Sequence, residues 1–215
     1  MKAFDSVNHR LLIHKLKAYG IAQSVCEWIE NFLEQRTFYV SVRNASSTSS
    51  DVCSGVPQGS VLGPLLFLLY INEVTEGVSS PCWLFADDIK VVIDANARDV
   101  TERDLSSLSK WAEKWDLPFN PRKCQHLTMR DADAPLVIHD ESSGVHSIKR
   151  CRVVKDQGVT MSADFKPAQQ CAAAANKARR ALFQLRAAIT CKDPDIVVPL
   201  YCAFVRPHLE YCVQG

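Results

Sequence analysis

Apolar positions first recur with helical spacing. Val7, Leu11, Leu12, Leu16 and Tyr19 mark one face of residues 7–19 and stop at Gly20, the pattern of an amphipathic helix closed by glycine. A second helix is expected over residues 23–34. The period then falls to two: Phe38, Val40 and Val42 share one side of residues 37–43, a strand, and the serine-rich turn 44–50 leads into a hairpin closing near Val52. Residues 65–71 are apolar on every side and predict a buried helix, with Pro64 tolerated in its first turn. Two short apolar runs, 82–85 and 89–93, flank Ala86-Asp87-Asp88 as a tight hairpin. Leu105, Leu108, Trp111, Ala112 and Trp115 mark another helix, stopped before Pro118. Residues 131–135 read as a flexible break. Strand-like segments follow at 136–138 and 152–159, then an alanine-rich helix over 167–189 and a shorter one over 194–205. The order predicts an α+β layered domain followed by a helical appendage.

Composition narrows the class only slightly. A chain of 215 residues with 47% hydrophobic and 23% charged residues can bury a core. Its longest apolar stretch, 61–71, is broken by Gly63 and Pro64 and is shorter than the roughly 20 residues of a membrane span. No apolar signal segment follows Met1, so an intracellular protein, neither secreted nor membrane-bound, is expected, with nucleus or cytoplasm left open. Nine cysteines could suggest disulfides or zinc, but none lies two to four residues from another and no histidine pair completes a ligand set. Free, mostly buried thiols are expected. The formal charge is only +1, yet ten basic residues between Lys149 and Lys192 face two acids, Asp156 and Asp164. That segment reads either as a phosphate-facing surface or as a solvated helix face.

Two local features could carry chemistry. In Trp83-Leu84-Phe85-Ala86-Asp87-Asp88-Ile89, adjacent carboxylates stand at the tip of an apolar hairpin, which is costly unless solvent or a cation compensates them. Such hard oxygen donors suit magnesium, although Asp-Asp is also a good turn. The second feature, residues 54–64 (SGVPQGSVLGP), places three glycines and two prolines ahead of a helix. It reads as a ligand-approach loop or as a plain helix entry.

Taken together and in order, the motifs KAFDSVNHRLL, SGVPQGSVLGPLLFLLYIN, LFADD, WDLPFNPRKC, KDQGV and VRPHLEYC closely resemble LINE-type, jockey-like reverse transcriptases of non-LTR retrotransposons. The resemblance covers nearly the whole chain. It implies an α+β fold, a polymerase palm with a ferredoxin-like layered sheet, followed by a partial, mostly helical thumb. Residues 1–130 would be palm, 131–165 a linker and primer-grip-like hairpin, and 166–215 the start of the thumb. The implied activity is RNA-directed DNA synthesis with Mg2+, or Mn2+ in its place, on an RNA template, a DNA primer and deoxynucleoside triphosphates. Asp87 and Asp88 match metal ligands. Gln58 and Gly59 match the wall behind the incoming nucleotide. Phe4 matches the steric gate at the ribose, though locally it also reads as a core aromatic. Lys123 matches a lysine assisting the pyrophosphate leaving group, though it could equally be a surface lysine. Lys149, Arg150, Arg152, Lys155, Lys177, Arg179 and Arg180 would face nucleic acid.

The departures also count. The aspartate that the family places before the gate falls two positions upstream of Met1. The resemblance therefore implies a chain short of one catalytic ligand, as well as of the fingers, any endonuclease and the C-terminal regions. Asp5 is a separate position, expected to cap the first helix. Gln157 stands for a usual leucine and Glu73 for a usual aspartate. Two readings follow: a fragment of an active enzyme, or a non-catalytic product, whether a decayed relic, a reading frame begun at an internal methionine, or a domain retained for nucleic-acid binding.

Overall fold

The computed structural model describes residues 3–128, 135–140 and 144–212. They fall into two units, one holding the described residues up to Cys124 together with those of 136–148, the other those of 125–135 together with those from Lys149 on. The flexible break expected at 131–135 lies, but for Pro135, outside the described residues.

In the first unit a 3-10 turn, Ala3–Ser6, precedes α1 (His9–Ala18). Asn8 caps this helix, its Oδ1 accepting from the Leu11 amide at 3.3 Å. Asp5 is not the cap. It lies inside the 3-10 turn, too early in the chain to reach the free amides of α1. Helices α1 and α2 (Gln23–Leu33) then pack together. An exposed excursion follows, in which β1 (Thr37–Phe38) pairs with β4 (Ser50–Asp51) and β2 (Ser41–Val42) with β3 (Ala45–Ser46), both antiparallel. The expected strand is thus interrupted, and the turn is confined to Arg43 (φ 53°) and Asn44, because Ala45 and Ser46 rejoin the ladder.

Helix α3 (Leu62–Ile71) completes the main core, where Leu12, Leu16, Cys26, Leu33, Leu66, Phe67 and Tyr70 meet. A fully buried leucine or phenylalanine there contributes about 1.5–3 kcal/mol relative to exposure. The expectation that α3 is buried all round needs correction. Leu66, Phe67, Tyr70 and Ile71 are buried while Leu65 and Leu68 are exposed, since the helices packed against α3 cover one side of it.

Lys15 is the unexpected member of this core, only 1% exposed. Its Nζ donates to the Tyr70 carbonyl at 2.7 Å, lies 3.2 Å from Glu73 Oε2 and sits 3.9 Å from the Trp115 ring centroid. Burial pushes the ammonium below the usual lysine range, opposed by Glu73. A carbonyl, a carboxylate and an aromatic face together supply what a buried cation requires.

The chain continues through the antiparallel hairpin β5 (Cys82–Phe85) and β6 (Asp88–Val91) into α4 (Arg98–Lys114). It contributes β7 (Gln125–Leu127) to the second unit and returns as the antiparallel pair β8 (Val137–Asp140) and β9 (Gly144–Ser147), with β8 on α4. A small core of Leu136, Ile138 and Ile148 meets Leu105 and Phe119 there. On α4, buried Asp104 accepts the backbone amides of Ser79 at 2.8 Å and Ser80 at 3.0 Å. Burial pushes its carboxyl up, but the bonds from Ser80 and Ser79 outweigh it and hold the group below the usual aspartate range. Its stabilising contribution is therefore full above the ordinary value of 3.8 and is lost as pH falls below that. Asp104→Asn should cost about 1–3 kcal/mol in urea unfolding at pH 7, because one of the two amides loses its acceptor. The gap should narrow in acid, and a gap independent of pH would count against the carboxylate.

In the second unit β10 (Lys149–Cys151) pairs in parallel with β7. The strand expected over 152–159 is a hairpin instead: β11 (Val153–Asp156) and β12 (Val159–Ser162) join through Gln157 (φ 45°) and Gly158 (φ 87°). Positive φ at both positions suits the right-handed twist of a two-residue hairpin. Helices α5 (Ala168–Ala188), α6 (Pro194–Phe204) and α7 (Arg206–Glu210) follow. The hairpin is tied to them by the Thr160 amide donating to Gln170 Oε1 at 2.8 Å and by the Tyr211 hydroxyl donating to the Gln157 carbonyl at 2.7 Å.

From Ala168 onward only Ala178 and Val205 are buried apolar residues among those described, so Cys171, Cys191, Cys202 and Cys212 are exposed. All nine cysteines are free, as expected, but Cys26 alone is buried, which corrects the expectation of mostly buried thiols. The mixture of helices and strands matches the sequence pattern. Among the described residues, however, strands pair only two by two, in six ladders, rather than as one layered sheet. No helix among them is long and apolar enough to cross a membrane.

Candidate functional site

The glycine-rich loop folds back onto the start of the chain. Ser54 Oγ donates to the Asp5 carbonyl at 2.9 Å, and the amides of Gly55 and Val56 donate to the carbonyls of Val7 and Phe4, each at 2.8 Å. His9 Nε2 donates to the Gly55 carbonyl at 2.8 Å, a direction fixed because a carbonyl only accepts. Gln58 Nε2 donates to Asp5 Oδ1 at 2.7 Å. The approach depends on glycine: Gly55 has φ +89°, and a Cβ there would lie 2.6 Å from Asp5 Cα. The far end of the loop is locked to α3 by Ser60 Oγ, which donates to the Pro57 carbonyl at 2.7 Å and accepts the Gly63 amide at 2.9 Å.

The β5–β6 hairpin presents the carboxylates. Phe85 pairs with Asp88, so Ala86 and Asp87 form the turn and Asp88 opens β6. Ala86 takes φ 50°, a left-handed conformation costing a non-glycine residue about 1–2 kcal/mol. Asp87 and Asp88 are both exposed, and neither forms a salt bridge among the described residues.

A cleft of about 380 Å³ is lined by Phe4, Gln58, Gly59, Asp87 and Lys123, together with Ala3, Pro57 and Pro64. Phe4 stacks on Phe67 of α3, centroids 4.1 Å apart, and so is a core aromatic that also borders the cleft. A Cβ at Gly59 (φ +85°) would meet nothing within 4 Å, so the loop leaves open space there. Asp88 is not among the lining residues. A wider cleft of about 640 Å³, lined by Asp5, Asn8, His9, Arg10, Ser54 and Asp116 among others, had no counterpart in the sequence reading.

Adjacent carboxylates are a suitable donor pair for a hard divalent cation, which often keeps waters and substrate oxygens as its remaining ligands. No group of three or more His, Cys, Asp or Glu side chains gathers among the described residues. The second unit carries the basic residues. Lys149, Arg152, Lys155, Lys177, Arg179 and Arg180 are exposed there, while Arg150 is half-buried.

Sequence reasoning missed the Asp5–Gln58 bond, the His9–Gly55 bond and the Tyr211 tie to the β11–β12 turn. Each joins positions too far apart for any period or spacing to signal it.

Comparison with known proteins gives the class first. Residues 1–168 match the family described as reverse transcriptase (RNA-dependent DNA polymerase), and the chain belongs to that family. The nearer likeness is to polymerases of mobile elements. The RNA-directed DNA polymerase from mobile element jockey of Drosophila funebris is 29% identical over 232 aligned positions, covering 99% of this chain and 25% of its own length. The jockey polymerase of Drosophila melanogaster is 34% identical over 139 positions, covering 59% and 15%. The probable RNA-directed DNA polymerase from transposon BS of the same species is 33% identical over 169 positions, covering 66% and 18%. The chain thus spans a quarter or less of the length of these relatives.

Proposed function

We propose that the chain is the palm, and the start of the thumb, of a non-LTR retrotransposon reverse transcriptase, and that the Asp87 cleft receives the deoxynucleoside triphosphate. The observation that carries this is the convergence of Phe4, Gln58, Gly59, Asp87 and Lys123 on one cleft. Asp87 and Asp88 hold Mg2+, or Mn2+ in its place. Such ions, when bound, supply charge stabilisation for the primer 3′-oxygen and the leaving pyrophosphate. Lys123 places a cation where negative charge develops on the leaving group. Gln58 and Gly59 back the nucleotide, and Phe4, fixed by its stack on Phe67, crowds the ribose.

In this reading residues 1–130 serve as palm, 131–165 as linker and primer-grip-like hairpin, and 166–215 as the start of the thumb. Lys149, Arg150, Arg152, Lys155, Lys177, Arg179 and Arg180 contact the phosphates of an RNA template paired with a DNA primer, an interaction that weakens with salt through counterion release. The test is magnesium-dependent extension of a DNA primer on an RNA template, by a polypeptide that restores the aspartate expected before Met1. Asp87→Asn should lower extension at least about a hundredfold. Equal extension by parent and variant would remove the reading.

A further inference from the structure

We propose that Asp5 is a positioning residue acting through Gln58: it fixes which end of the Gln58 amide faces the cleft, and so makes the loop select ligands that donate a hydrogen bond. The inference rests on the nucleotide reading of that cleft. A carboxylate only accepts hydrogen bonds, so the 2.7 Å contact commits Gln58 Nε2 to Asp5 Oδ1. The carbonyl oxygen, Oε1, is the end that this bond leaves unused, and Gln58 lines the cleft. Both side chains are exposed, and an exposed amide would otherwise be free to turn over.

The carboxylate is held in place by the backbone around it. Its own carbonyl takes the Ser54 hydroxyl at 2.9 Å, while the Val56–Phe4 and Gly55–Val7 bonds on either side, each 2.8 Å, register the segment against the loop. The absent side chain of Gly55 permits that approach. Asp5 lines the wider cleft and not the one containing Asp87, and its side chain meets the lining of the latter through its bond to Gln58.

A nucleotide offers donors from two sources, a sugar hydroxyl or a base N–H, and the test separates them. Binding of dTTP in magnesium is compared with its 2′,3′-dideoxy analogue, which lacks the hydroxyl, and its N3-methyl analogue, which lacks the base donor. The parent should disfavour one analogue by about 2- to 10-fold, the range of one hydrogen bond. Asp5→Asn allows either amide orientation and should bring that ratio towards one. Asp5→Glu, keeping a carboxylate, should restore part of it, and Gln58→Leu should abolish it. The Gln58 side-chain amide signals in 15N–1H spectra should move in Asp5→Asn.

Unmoved signals would overturn the bond itself. Moved signals with an unchanged ratio would overturn the positioning role. If the parent binds no nucleotide, the reading of the cleft fails and the role of Asp5 fails with it, a result distinct from an unchanged ratio.

Discussion

Gly55→Val should destabilise the first unit by about 4 kcal/mol or more and lower its melting temperature by roughly 10 °C or more, an effect in the exceptional tail of single substitutions. Two penalties combine. The backbone at φ +89° lies where a β-branched residue is strained. The new Cβ would also lie 2.6, 2.8 and 2.9 Å from Asp5 Cα, C and O, atoms of a backbone that cannot swing aside as a flexible side chain could. Relief means pushing the first segment off the loop, which breaks the Gly55–Val7 and Val56–Phe4 bonds and shifts Phe4 from its stack on Phe67. Gly59→Ala is the control. Its φ of +85° is similar, but its Cβ would meet nothing within 4 Å, so only the backbone penalty of about 1 kcal/mol is expected. Thermal melts of the two variants beside the parent check this. Equal losses would show that the clasp on Asp5 is not what makes Gly55 necessary.

The contrast shows which parts of the molecule were legible in the sequence. Helix α2, the β5–β6 hairpin and helices α5 and α6 fall within a residue or two of where period, glycine and proline place them, because those signals are local. The turn carrying Asp87 was readable for the same reason. What failed was whatever depended on a distant partner. Lys15 looks like a polar interruption on α1, but becomes a core residue once Tyr70, Glu73 and Trp115 surround it. Asp104 looks like a solvated helix charge until the Ser79 and Ser80 amides arrive from another segment. The β7–β10 pairing joins parallel strands with no turn to announce it. The gathering of Phe4, Gln58 and Lys123 around Asp87 was suggested by family resemblance and by no local pattern.

A polypeptide of residues 1–215 alone should incorporate no deoxynucleotide above its own Asp87→Asn variant. In-line transfer needs the reacting oxygens and the divalent cation held together, and the aspartate expected two positions before Met1 would hold that cation together with Asp87. No cluster of three or more His, Cys, Asp or Glu side chains occurs among the described residues. Asp5, the carboxylate nearest in sequence to the absent one, lines a different cleft from Asp87 and already accepts the Gln58 amide. If losing that ligand removes even about 4 kcal/mol of transition-state stabilisation, the rate falls on the order of a thousandfold. The measurement is magnesium-dependent extension of a DNA primer on an RNA template, run beside a polypeptide extended upstream to restore the aspartate. Extension by both polypeptides, abolished in each by Asp87→Asn, would show that the upstream residue is dispensable and that Phe4 does not align with the family's aromatic gate. Extension by the longer polypeptide only would place the missing ligand before Met1 and leave Asp5 to its bond with Gln58.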